Sequence, residues 1–104
     1  MSGIYTHGAW VVIPGREDEF VAAWTDFARW TTKNVPGAGA GTLLRDREDR
    51  RRFVSFGPWE SESAVAAWRQ RPEFMDFVKA ARELLEEFRP ATLDTVALVA
   101  PGDA

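Results

Sequence analysis

Phe53-Val54-Ser55-Phe56-Gly57-Pro58-Trp59-Glu60-Ser61-Glu62 is the stretch on which the fold turns. Its first half is rich in β-branched and aromatic residues, which predicts a strand over 52–57. Gly57-Pro58 then breaks the run, and Ser61 is placed to cap a helix over 64–69 by accepting a main-chain N–H with its hydroxyl. Upstream, Thr42 to Arg45 predicts a second strand, joined to the first by the tip Asp46 to Arg51 as a hairpin. Further back, Phe20, Ala23, Trp24, Phe27, Trp30 and Thr31 recur at helical spacing between Arg16 and Asn34, behind the acidic start Glu17-Asp18-Glu19. Val35-Pro36-Gly37-Ala38-Gly39-Ala40-Gly41 ends that helix, because proline and repeated glycine suit neither helix nor strand interiors.

Outside this centre, Ile4 to Ile13 predicts an opening strand that stops at Pro14-Gly15. Alternation sets Thr6, Gly8, Trp10 and Val12 on one face and Tyr5, His7, Ala9, Val11 and Ile13 on the other. After Ala64–Arg69, Pro72 breaks or restarts the helix. Phe74, Phe77, Val78, Ala81, Leu84, Leu85 and Phe88 then keep helical spacing as far as Pro90, and Thr92 to Val99 alternates as a last strand. The order strand, helix, strand, strand, helix, strand predicts an α+β, ferredoxin-like βαββαβ domain: a four-stranded antiparallel sheet with both helices on one face. The other face carries apolar side chains, so a homodimer that buries it against a second copy is expected.

A chain of 104 residues fits a single domain, with a core from about residue 4 to residue 99. Cysteine is absent, which excludes disulfides within the chain, thiolate metal sites and a cysteine nucleophile, and the single histidine, His7, disfavours a histidine-based metal cluster. The run Arg45, Arg47, Arg50, Arg51 and Arg52 is interleaved with Asp46, Glu48 and Asp49. It reads as a solvated hairpin tip and not as a nucleic-acid surface. No apolar run approaches the roughly 18 residues of a membrane span. The opening Met1-Ser2-Gly3-Ile4-Tyr5 lacks a basic region followed by an apolar one, so a cytoplasmic location is the expectation.

Five tryptophans, seven phenylalanines and a tyrosine are a heavy aromatic load, which suits a core, an interface or a pocket for a flat ligand equally. The strand ending in Pro14-Gly15, the helix with Phe20, Trp24 and Phe27, the Val35-Pro36-Gly37 exit, and Phe53–Glu62 followed by Ala67-Trp68 and Pro72-Glu73-Phe74 resemble the antibiotic biosynthesis monooxygenase family from about Ile4 to Val99. The resemblance implies a dimeric α+β barrel with a pocket between helices and sheet in each subunit. It also implies cofactor-free oxygenation of anthrones, quinols or related polyketides, or, in another branch, haem degradation.

Residue by residue, Trp59 matches the tryptophan that the quinol and anthrone oxygenases place at their pocket. Ser55 stands where they carry an amide, and Val78 falls near their basic residue. The haem-degrading branch would have its asparagine at Gly8, its iron-binding histidine near Phe77 or Val78 and its tryptophan at Trp68. Haem chemistry is therefore disfavoured, since phenylalanine and valine cannot ligate iron.

The implied catalytic set is Trp59 and Ser55, with His7 as the one side chain whose ordinary pKa suits a proton acceptor. The parity of His7, opposite to that of Gly8, turns it towards the dimer side. Candidate pocket walls are Trp24, Phe27, Trp30, Trp68, Phe74, Phe77, Val78, Gly8 and Trp10, most of which suit the core equally well. The resulting expectation is a monooxygenase needing no cofactor and acting on a small aromatic molecule. The alternative is a non-catalytic, dimeric ligand-binding domain of the same fold.

Overall fold

The computed structural model describes residues 3–103. Its elements are β1 (Ile4–Val12), α1 (Glu17–Asn34), β2 (Thr42–Arg45), β3 (Arg52–Trp59), α2 (Glu62–Arg69), α3 (Pro72–Arg82) and β4 (Leu85–Asp94). The strands form one antiparallel sheet in the order β2-β3-β1-β4, the ferredoxin-like arrangement. No helix among the described residues is long and apolar enough to cross a membrane.

Local chemistry accounts for most boundaries. Ser61, in extended geometry, accepts the N–H of Ala64 at 3.1 Å and starts α2, while Pro72 opens α3, where its missing N–H costs no helical bond. At the hairpin tip the Asp46 carboxylate accepts the N–H groups of Asp49 (3.1 Å) and Glu48 (2.7 Å), which hold its pKa below the usual carboxylate range. Arg51 donates through Nη1 to both carboxylate oxygens of Glu86 on β4, and Arg52 pairs with Asp49, so two arginines of the basic run are held by carboxylates.

Strand β3 continues past the predicted end at Gly57 to Trp59. Pro58 is tolerated there because β2 pairs only with 53–56, and the Pro58 carbonyl instead accepts the N–H of Gly39 at 2.8 Å. The approach is so close that a Cβ on Gly39 would lie 2.7 Å from the proline ring.

The C-terminal reading needs correction. Helix α3 ends at Arg82 and does not run on to Pro90, and the last strand is Leu85–Asp94 and not Thr92–Val99. Pairing decides it: β4 runs alongside β1 from Val12↔Leu85 to Ile4↔Asp94 and satisfies its main chain there, an outcome that local periodicity does not encode. Pro90 fits because β4 is an edge strand, hydrogen-bonded only to β1. Beyond it Thr95 donates its N–H to the Gly3 carbonyl at 2.7 Å, and Val96, Leu98 and Val99 stand exposed.

The core lies between the helices and one sheet face. Trp10, Val12, Phe20, Phe53 and Leu84 form one buried cluster, and Ile4, Val35, Trp59 and Val65 form another. The opposite face carries Tyr5, His7, Ala9 and Val11 of β1, flanked by Val54 and Phe56 of β3, Leu44 of β2 and Leu93 of β4. Among the described residues no helix covers it, and Leu44, Val54, Phe56 and Leu93 are exposed.

Candidate functional site

Between the two clusters the helices do not close on the sheet. Trp24 and Phe27 of α1 are only half-buried because they face a cavity with about 110 Å³ open to the centres of water-sized molecules. A single water needs roughly 10–15 Å³, so the space exceeds that of one bound water several times over.

Aromatic side chains form its walls. Phe27 stacks on Phe77 with centroids 4.3 Å apart and planes 3° apart, and Trp68 meets Phe74 edge-on at 4.7 Å and Trp59 at 4.9 Å. On the sheet floor Trp10 stacks on Phe88 at 4.1 Å. These contacts hold the rings in place, so the cavity keeps a preformed, largely apolar shape.

Each of three indoles at the cavity donates its N–H to a hydroxyl. Trp10 Nε1 reaches Ser55 Oγ (3.0 Å), Trp59 Nε1 reaches Thr6 Oγ1 (2.9 Å), and Trp68 Nε1 reaches Thr31 Oγ1 (3.2 Å). The first bond depends on Gly8, which lies directly across from Ser55 in the β1–β3 register. Without a side chain at 8, the Trp10 indole leans back over that position. A Cβ there would sit 2.8 Å from both Cε2 and Nε1. Ser55 is buried, and Trp10 occupies one of its lone pairs. No acceptor for the hydroxyl proton is found among the described residues, which leaves the Ser55 O–H available to donate.

Every predicted site residue except Trp30 borders the cavity. Trp30 instead packs with the cluster of Ile4, Val35, Trp59 and Val65, with the Arg71 guanidinium 5.7 Å from its ring. His7 borders the cavity too, but its place between Thr6 and Gly8 in an extended strand turns the imidazole to the uncovered face. Phe77 and Val78, at the place that resemblance to haem-degrading proteins gives to an iron ligand, offer the cavity only hydrocarbon.

The sequence reading missed Thr6 and Arg69, left Thr31 as a member of the α1 stripe, and missed Phe88 and Pro90 as floor residues. Thr6 shares the parity of Gly8 and was discoverable by alternation. Phe88 and Pro90 were hidden by the overlong last helix. Arg69, the final residue of α2, carries no local signal of its place at the cavity.

Among proteins of curated function, none matches the sequence. Among solved structures, SnoaB of Streptomyces nogalater, a cofactor-independent oxygenase, superposes with a TM-score of 0.85 at 22% identity, covering 97% of this chain and 99% of that one. A protein of Pseudomonas aeruginosa superposes at 0.79 with 16% identity, over 93% and 97% of the two chains. One of Shewanella oneidensis does so at 0.78 with 17% identity, over 88% and 89%. The family model for antibiotic biosynthesis monooxygenases matches residues 4–80, from the opening strand through most of α3. The chain belongs to the antibiotic biosynthesis monooxygenase family.

Proposed function

We propose that the protein is a cytoplasmic, homodimeric, cofactor-independent monooxygenase that oxidises an anthrone-like or hydroquinone-like aromatic substrate with dioxygen in the cavity. The observation that carries this reading is the buried Ser55 hydroxyl, fixed by Trp10 and free to donate, on the floor of an aromatic chamber. Such a chamber desolvates a flat ring, and a single donor aimed at the developing oxyanion favours the ionised, electron-rich form that can reduce dioxygen. For a substrate methylene the balance is one methylene carbon and one dioxygen giving one carbonyl and one water. A new C–O bond forms, the O–O bond breaks, and the second oxygen leaves as water with the two substrate hydrogens. The imidazole of His7 faces away from the cavity and is given no proton to move in this scheme. Trp59 serves as a wall, anchored through Thr6.

The experiment is oxygen uptake by metal-free protein across a panel of anthrones and hydroquinones. Ser55→Ala is expected to lower kcat by about two to three orders of magnitude, as loss of an oxyanion donor does elsewhere. Trp59→Phe keeps an aromatic wall, smaller than the indole, but loses the bond to Thr6, and is expected to lower kcat less. Unchanged rates in both variants refute the assignment. The hydrocarbon that Phe77 and Val78 present to the cavity favours a second reading, ligand binding without turnover; saturable binding with no oxygen uptake by any member of the panel selects it.

The uncovered sheet face supports the dimer, because Leu44, Val54, Phe56 and Leu93 would otherwise leave a contiguous apolar surface in water. Light scattering is expected to give twice the 11.7 kDa chain mass. Phe56→Glu, which places a charge in the middle of that face, is expected to shift the mass towards the monomer. A monomeric wild type, or an undisturbed dimer in the variant, contradicts the interface.

A further inference from the structure

We infer that Arg69 selects substrates whose aromatic body carries a carboxylate, held at the cavity mouth while the rings lie between the aromatic walls. The inference rests on the cavity being a ligand site, as proposed above, and adds the chemical class of ligand.

Arg69 is the one arginine, lysine, aspartate or glutamate among the described residues that line the cavity. The guanidiniums of Arg16, Arg51, Arg52 and Arg89 are paired with carboxylates, whereas Arg69 meets a neutral group, with Nη2 donating to Thr92 Oγ1 at 2.9 Å. Thr92 lies across from Thr6 in the β1–β4 register, and Thr6 accepts from Trp59, so the tether fixes Arg69 at the Trp59 end of the cavity. A guanidinium has five N–H donors in a rigid fork that matches a carboxylate, and one of them is committed to Thr92. Arg69 is itself exposed, which puts the charge at the mouth and leaves the interior apolar. A cation at the rim of an apolar slot suits a ligand that is flat and apolar at one end and anionic at the other.

The test uses 2-naphthoate and its uncharged analogue methyl 2-naphthoate, titrated by quenching of tryptophan emission in the intact protein. Wild type is expected to bind the carboxylate about tenfold more tightly than the ester at low ionic strength, with the margin shrinking as salt is added. Arg69→Gln is expected to abolish that margin by weakening the carboxylate alone, and Arg69→Lys to restore part of it. Equal affinity for the two compounds in wild type, no saturable binding of either, or equal weakening of both in Arg69→Gln overturns the proposal. Because no oxygen is consumed in these titrations, their failure is separate from failure of the oxygenase reading. A clear carboxylate preference in a protein that turns over nothing leaves Arg69 as a ligand selector and removes only the chemistry.

Discussion

Phe20→Ala is expected to lower the unfolding free energy by about 3–5 kcal/mol, the range for emptying a fully packed phenylalanine site. Phe20 has no exposed surface, and its ring lies 5.2 Å from those of both Trp10 and Phe53, joining α1 to two strands of the sheet. Those partners are held by stacking on Phe88 and by strand pairing, so they have little freedom to collapse into the space left behind. A domain of this size has about 5–15 kcal/mol in total, so the variant should unfold at much lower urea, and Phe20→Leu, which keeps most of the volume, should lose far less. A loss below about 1 kcal/mol in Phe20→Ala would mean that this contact does not join helix to sheet as described.

Gly8→Ala carries the second large effect, and it links stability to function. The added Cβ would lie within 2.9 Å of three indole atoms of Trp10, so the ring has to move. It is boxed in by Phe20, Phe77 and Phe88, and any shift breaks the bond to Ser55. The expected cost is about 1–3 kcal/mol from overpacking. A changed near-ultraviolet circular dichroism signal and a kcat at least as low as that of Ser55→Ala should accompany it. Unaltered dichroism together with wild-type turnover would show that the indole does not depend on the missing side chain.

The parts of the fold set by local chemistry were legible in the chain. The Ser61 cap, the Pro72 restart and the glycine-rich exit after Asn34 each follow from a few adjacent residues. The last strand was not, because Leu84, Leu85 and Phe88 also satisfy a helical period. Glu86, Glu87 and Arg89 blur the alternation that would mark β4. Only its pairing with β1, about eighty residues away, resolves the ambiguity.

The candidate site divides in the same way. Its aromatic walls were visible because the cavity lies on the face of α1 that also makes the core. The bonds that aim the polar groups were not, since Trp10 and Ser55 are 45 residues apart, Trp59 and Thr6 are 53 apart, and Trp68 and Thr31 are 37 apart. Family resemblance pointed to Ser55 and Trp59, but it could not say that a second tryptophan would hold the serine or that Thr6 would hold the first. Ser55 therefore enters the proposed chemistry as one half of a pair with Trp10.

The most direct test of the oxygenase reading is isotopic. Metal-free protein supplied with an anthrone under 18O-labelled dioxygen is predicted to place one labelled oxygen in each quinone product, at a rate well above that without protein. Product formed no faster than the background, or carrying oxygen drawn from water, would contradict it.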